Sequence, residues 1–200
     1  MYQPTSIPAP LAMVLATLSP DDAARLEYAF QFAAEAHRGQ QRDEGSPFID
    51  HPVAVVEILW GELACRDIDV LIAALMHDVL EDCADVEPGA LQTLIGARAY
   101  SLVEHVTKPT VPEHCKAQRD RAYLDRLRDA PLDVRLLKIA DRIHNLRQVI
   151  HAGDPAKASR YLAVSRQEFY PLALATSPAA AQHVAEACDA IERYLETVAT

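Results

Sequence analysis

His77 and Asp78 close a long apolar run and are followed one turn later by Glu81 and Asp82. At about 100° per residue, positions 77, 78, 81 and 82 share an arc of roughly 140° on one helix, while Ile72, Leu75, Met76, Val79 and Leu80 supply the apolar remainder. Burying three carboxylates and an imidazole together is costly unless a cation or several donors compensate them. The stripe therefore points to a metal site or a catalytic cleft.

Two further segments carry matching chemistry. His51 opens a helix after the polar stretch 39–50, in the string Gly45-Ser-Pro-Phe-Ile-Asp-His-Pro52; by itself a histidine beside a proline reads as a cap or a surface residue. In Lys138-Ile-Ala-Asp-Arg-Ile-His-Asn-Leu-Arg147, the residues Lys138, Asp141, Arg142 and Asn145 recur at spacings of three and four and so share one helical face. Taken alone, that face reads equally well as a solvated side next to the stripe of Leu136, Leu137, Ile139, Ile143 and Leu146. Together, His51, His77, Asp78 and Asp141 make a mixed set of two nitrogens and two oxygens, suited to a divalent cation acting as a Lewis acid, with manganese, iron and zinc all admissible. Such a cation acidifies water enough to supply a nucleophile near neutral pH for cutting a phosphoester or phosphoanhydride. Glu81 and Asp82 are then candidates to orient that water or move its proton, Asn145 to hold it in line, and Lys138, Arg142 and Arg147 to contact phosphate.

The elements that must position these residues read as helices throughout. Helical periodicity covers about 21–38, 51–63, 68–82, 89–107, 113–129, 132–149, 156–174 and 179–197, with no convincing alternating strand, which makes the chain all-α. Prolines at 52, 88, 112, 131, 155 and 178 fall near proposed helix starts, where a missing N–H does little harm, whereas Pro171 is placed to kink or break its helix. Residues 1–20 read as a loosely ordered arm, with Asp21 and Asp22 capping the first helix of a single domain over 21–200.

Composition narrows the partners. Two hundred residues, half of them apolar, suit one domain large enough to shield a cleft. With 19 Lys and Arg against 29 Asp and Glu, the formal charge of −10 disfavours nucleic acids and anionic membranes. Cys65, Cys83, Cys115 and Cys188 form no Cys-x-x-Cys pair and read as reduced thiols of a cytoplasmic protein. The short apolar run Leu11 to Leu18 lacks a basic flank and supports neither a signal peptide nor a membrane span. Oligomeric state has no signature in the sequence.

The order His, His-Asp, Asp resembles that of HD-domain metal-dependent phosphohydrolases, and the flanking strings resemble more narrowly the hydrolase domain of the RelA/SpoT alarmone family. The strings are Ala36-His-Arg-Gly-Gln-Gln-Arg42, Gly45 to Pro52 as above, Ala73-Ala-Leu-Met-His-Asp-Val-Leu-Glu-Asp82, Val106-Thr-Lys108, Leu137 to Arg147 and Tyr170-Pro-Leu-Ala173. The resemblance implies an HD-type helical bundle of about eight helices. It also implies removal of the 3′-pyrophosphate from ppGpp or pppGpp to give GDP or GTP, with manganese at His51, His77, Asp78 and Asp141. In that reading Glu81 and Asp82 match the catalytic acidic pair, Asn145 an asparagine beside nucleotide and metal, and Arg42 an arginine packed on the guanine base. The chain resembles a stand-alone small alarmone hydrolase. It departs from the pattern on the nucleotide side, with Asp43-Glu44 where many bacterial members carry Lys-Ser, and Gln148 where a threonine is frequent. Three alternatives stay open: an adenosine alarmone, a 2′-phosphorylated dinucleotide such as NADPH, or nucleotide binding without catalysis.

Overall fold

The computed structural model describes residues 5–198. Among them lie twelve α-helical segments and no strand: α1 Ala9–Leu15, α2 Pro20–Ala36, α3 Asp50–Glu57, α4 Ile68–Met76, α5 Val79–Asp82, α6 Pro88–Ile95, α7 Ala97–Val106, α8 Lys116–Arg128, α9 Leu132–Val149, α10 Pro155–Val164, α11 Tyr170–Leu174 and α12 Pro178–Val198. The all-α expectation holds. The number of helices exceeds eight because three of the expected rods are each divided in two and the N-terminal arm contributes α1.

Gly96, at φ +84°, takes a conformation that L side chains avoid and divides the expected 89–107 helix into α6 and α7. The 68–82 helix stops at Met76 and restarts at Val79, so His77 and Asp78 sit in the break between α4 and α5. Pro171 does not break its helix. A π-helical turn over Ser165–Phe169 joins α10 to α11 and absorbs the proline as the first turn of α11. A second π turn, Ile58–Glu62, continues α3.

Part of the expected N-terminal arm is helical: α1 packs on α3 with Leu11 and Val14 buried, which the apolar pattern alone did not distinguish from an arm. Ser19, rather than an aspartate, caps α2 by accepting from the Asp22 amide at 3.2 Å, with Pro20 at the first helical position. Asp21 and Asp22 fall in the first turn, where their charge meets the positive end of the helix dipole.

α4 is the central strut. Every residue from Val70 to Met76 is buried, since α2, α3, α7 and α9 pack around it. A helix enclosed on all sides has no room to translate or roll, so its C-terminal end holds His77 at a fixed point deep in the bundle. α12, the longest helix, lies along α9 and α11 and keeps its apolar face inward. No helix among the described residues is long and apolar enough to cross a membrane.

Candidate active site

Three helix ends and one helix middle meet at the bottom of a cleft. His77 Nδ1 bonds to the Ala74 carbonyl at 2.8 Å, one of the carbonyls left without a partner where α4 stops. A carbonyl only accepts, so Nδ1 carries a proton and Nε2 is the nitrogen that faces the cleft. His51, in the first turn of α3 and 1% exposed, brings its own Nε2 to 3.1 Å from that of His77. Asp78 Oδ2 lies 3.2 Å from His77 Nε2 and 3.5 Å from His51 Nε2. Asp141, halfway along α9, places Oδ1 3.2 Å from His51 Nε2 and 3.7 Å from His77 Nε2.

Ligands around a divalent cation at about 2.1 Å stand about 3.0 to 3.4 Å from their neighbours, depending on whether the shell is octahedral or tetrahedral. The donor atoms of His51, His77 and Asp78 match that spacing and form the one such three-residue cluster among the described residues. Asp141 flanks it while its second oxygen is held by Lys138 Nζ at 2.7 Å. The residues present therefore fit a divalent metal, three as a tight cluster and a fourth one short movement away.

The electrostatics are those of a cation site. Burial alone would push the His77 imidazole down, but the charges of Asp78 and Asp141 outweigh it and raise it to about 9. Burial would likewise raise Asp78 and Asp141; the histidines hold Asp78 below the usual carboxylate range, and Lys138 with both histidines does the same for Asp141. Lys138, its side chain 15% exposed, stays firmly charged because Asp141 faces it. Glu81 and Asp82 behave oppositely. Both residues are exposed rather than buried with the stripe as the apolar run suggested, yet partial burial of their carboxyls raises both, and the neighbouring Asp78 charge raises Asp82 further, which suits groups that must accept and hold a proton. Glu81 Oε1 is steadied by the Lys108 backbone N–H at 2.6 Å.

Asp141 connects the cluster to a cavity of about 390 Å³ whose walls also include Asn145, Lys138, Lys108, Arg160 and Tyr161. Asn145 links this cavity to its rim: its amide nitrogen donates to Asp141 Oδ1 at 2.5 Å and its oxygen accepts from Arg42 Nη2 at 2.6 Å. Arg42 also lies over the Phe48 ring, 5.6 Å from its centroid. It borders a smaller polar recess shared by Asp43, Glu44, Gln148 and Lys157.

Two of the expected phosphate contacts are otherwise engaged. Arg147 makes a bidentate pair with Glu62, at 2.7 and 2.8 Å, and borders none of these cavities. The π turn at Ile58–Glu62 presents Glu62 to it, and no local pattern announces that turn. Arg142 reaches the main cavity, but its Nε donates to Ser165 Oγ at 2.7 Å and its Nη2 to the Tyr161 carbonyl at 3.0 Å. It is sandwiched against Tyr161 and Phe169, a wall fixture before it is a phosphate ligand. Tyr161 lines the cavity, whereas Arg166 is paired with Asp189 and Glu192.

Arg160 and Lys157 were missed by reading motifs. Both sit one turn or less before Tyr161 on α10, and a basic residue beside that aromatic was the available signal. His144 was also passed over: its ring is 9% exposed and its Nδ1 lies 2.7 Å from His51 Nδ1. His37, within the matching 36–42 string, stacks on Phe48 and bonds Gln40 at 2.8 Å. Cys83, Cys65 and Cys188 are buried free thiols, and burial pushes Cys83 up to about 11, far from a nucleophile's range.

Residues 29–176 match the HD domain family model. The chain is an HD-domain protein. The human guanosine-3′,5′-bis(diphosphate) 3′-pyrophosphohydrolase MESH1 is 40% identical over 131 residues, which are 64% of this chain and 71% of MESH1. The Escherichia coli bifunctional (p)ppGpp synthase/hydrolase SpoT is 35% identical over 170 residues, 82% of this chain and 23% of the longer protein. Among solved structures, a metazoan SpoT ortholog described as hydrolysing ppGpp superposes with a TM-score of 0.75 at 27% identity, covering 86% of this chain and 97% of that one. The HD domain thus accounts for the helical bundle and for the cluster at its centre.

Proposed function

We propose that this HD domain hydrolyses ppGpp or pppGpp, releasing the 3′-pyrophosphate and leaving GDP or GTP. The observation that carries the reading is the cluster of His51, His77 and Asp78, flanked by Asp141, which itself lines a cavity walled by Lys108, Lys138, Arg142 and Arg160. Its support comes from relatives named for that reaction. His51, His77, Asp78 and Asp141 would hold a divalent metal, which we assign as manganese. When bound, that ion supplies Lewis-acid charge to a phosphoryl oxygen and acidifies water.

The chain's own residues do the rest. Water oxygen bonds to the phosphorus attached to O3′, the P–O3′ bond breaks, and O3′ leaves as the alcohol with a proton. Glu81 and Asp82, with carboxyls raised by burial, take the proton from the water. Asn145, anchored to Asp141 and Arg42, orients the nucleotide over the site. Lys138 and Lys108 neutralise the departing pyrophosphate, and burial beside Lys138 lowers Lys108, so an arriving polyanion relieves a strained pair of charges. Arg42 stacks on the base as a flat guanidinium. The acidic remainder of the surface keeps nucleic acids and membranes away, consistent with a cytoplasmic enzyme acting on a small molecule.

A second reading, hydrolysis of an adenosine alarmone or of NADPH, is favoured by one feature, the acids Asp43 and Glu44 beside Arg42. Turnover of ppGpp, the adenosine analogue and NADPH by metal-stripped protein, with manganese, zinc, iron or magnesium restored singly, separates the two. Guanosine alarmone turnover with manganese supports the first reading, and activity confined to another nucleotide supports the second. Saturable nucleotide binding without turnover under any metal would leave a binding protein.

A further inference from the structure

His51 has two ring nitrogens and both are engaged. Nε2 faces His77, Asp78 and Asp141, whereas Nδ1 points away from the cleft and lies 2.7 Å from Nδ1 of His144. At that separation the two nitrogens share one proton, so one donates and the other accepts. His144 Nε2 in turn lies 3.5 Å from the Gln148 amide nitrogen, one helical turn further along α9. The three side chains form a line from the cluster toward a polar recess of about 200 Å³ bordered by His51, His144 and Gln148.

Such a line has two polarities. In one, His144 Nδ1 donates to His51, which leaves the His51 proton on Nε2, where it blocks the lone pair. In the other, His51 Nδ1 donates to His144, the Nε2 lone pair of His51 is free for a cation, and His144 carries its proton on Nε2. That proton then needs an acceptor. An amide supplies one by turning its oxygen inward, and it serves the opposite polarity by turning its nitrogen inward. His77 has no such freedom, because a backbone carbonyl fixes its tautomer.

We propose that His144 and Gln148 are positioning residues that hold His51 in the tautomer able to ligate the metal, and that loading the site selects the polarity in which the His51 ring donates to the His144 ring. This rests on the reading of His51, His77 and Asp78 as a metal site. It gives Gln148, a departure from the family pattern, a defined role: it must accept from the His144 ring nitrogen, and its longer side chain spans one turn of α9 to do so. Outer-sphere partners of metal-bound histidines are worth about 10- to 100-fold in metal affinity.

The test is metal affinity, measured by competition with a chromophoric chelator and independent of turnover. His144→Phe, which fills the same space without an acceptor, should weaken manganese and zinc binding roughly 10- to 100-fold. His144→Asn, whose side-chain oxygen can stand near the Nδ1 position, should recover most of that loss. Gln148→Leu should weaken binding in the same direction by a smaller factor, and it keeps the test alive if the His144 variants fail to fold. Long-range proton–nitrogen spectra of the zinc-loaded protein should show His144 protonated on Nε2 and bare at Nδ1. Wild-type affinity in both His144→Phe and Gln148→Leu, or a proton on His144 Nδ1 in the loaded protein, overturns the proposal while leaving the metal site standing. Absence of metal binding in the wild-type protein removes the site and the inference together.

Discussion

Arg42 Nη2 donates to Asn145 Oδ1 at 2.6 Å, across 103 residues of sequence, and Asn145 passes the connection on to Asp141 at 2.5 Å. The loop over 39–50 is thereby tied to the metal-facing carboxylate through one amide. The residue proposed to stack on the base and the residue proposed to flank the cation are thus mechanically joined.

Replacing Arg42 by lysine keeps the charge but loses the flat, forked donor. A charge-assisted hydrogen bond of this kind contributes about 1.5 to 3 kcal/mol. We expect KM for the nucleotide to rise about 10- to 100-fold, with a smaller fall in kcat. Steady-state kinetics of Arg42→Lys give the split directly; an unchanged KM would place the base elsewhere.

Asp43 is paired with Lys157 of α10, and that contact lowers its carboxyl below the ordinary range. The acid that looked hostile to a polyphosphate is therefore neutralised within the rim. Both groups are partly exposed, so their coupling is small, about 0.2 to 1 kcal/mol. Asp43→Lys should raise KM by like-charge repulsion across the recess, and the double exchange Asp43→Lys with Lys157→Asp should restore part of it. A double-mutant cycle without coupling would show that the pair does not form in solution.

Glu81 and Asp82 yield opposite expectations for stability and for turnover. Burial raises both folded-state carboxyls, so folding favours their protonated forms. That stabilising preference is complete below the ordinary carboxylate pKa and is lost as pH rises through the raised value. At neutral pH the charged forms are a burden on the metal-free fold. Glu81→Gln should therefore raise Tm slightly at pH 7 and hardly at all near pH 4, while turnover falls about 10²- to 10⁴-fold. Turnover of the wild-type enzyme should fall on the acid side through a pKa above the usual carboxylate range. A stabilised and fully active Glu81→Gln would remove the carboxyl from the proton transfer.

Asp78→Ala takes one oxygen from the tight cluster and leaves a folded bundle, since α4 is held by apolar contacts on every side. Metal binding and turnover should both be lost, with a helical circular-dichroism signal unchanged. Retained turnover would contradict the ligand assignment.

What the sequence made legible follows from distance along the chain. His77, Asp78, Glu81 and Asp82 lie within six residues, and Lys138, Asp141 and Asn145 within eight, so helical spacing alone grouped each set. His51 joined them only as a chemically matching donor, strengthened by the family pattern, because nothing local relates residue 51 to residue 77. The fate of Arg147 was illegible for the same reason: its partner Glu62 is presented by a π turn that depends on packing. The helix break at His77 and Asp78 was hidden too, since the apolar run continues through Val79 and Leu80 and favours an unbroken helix. The Asp43 pair with Lys157 joins the 39–50 loop to α10 across 114 residues, and only the folded chain shows that the charges cancel.

The central claim is the bond that breaks. Phosphorus NMR of ppGpp incubated with metal-stripped protein and restored manganese follows every phosphorus in one tube. The account predicts one pyrophosphate and one GDP for each ppGpp consumed, with no orthophosphate and no reaction before the metal is added. Orthophosphate as the first product, or no turnover with any divalent metal, would contradict it.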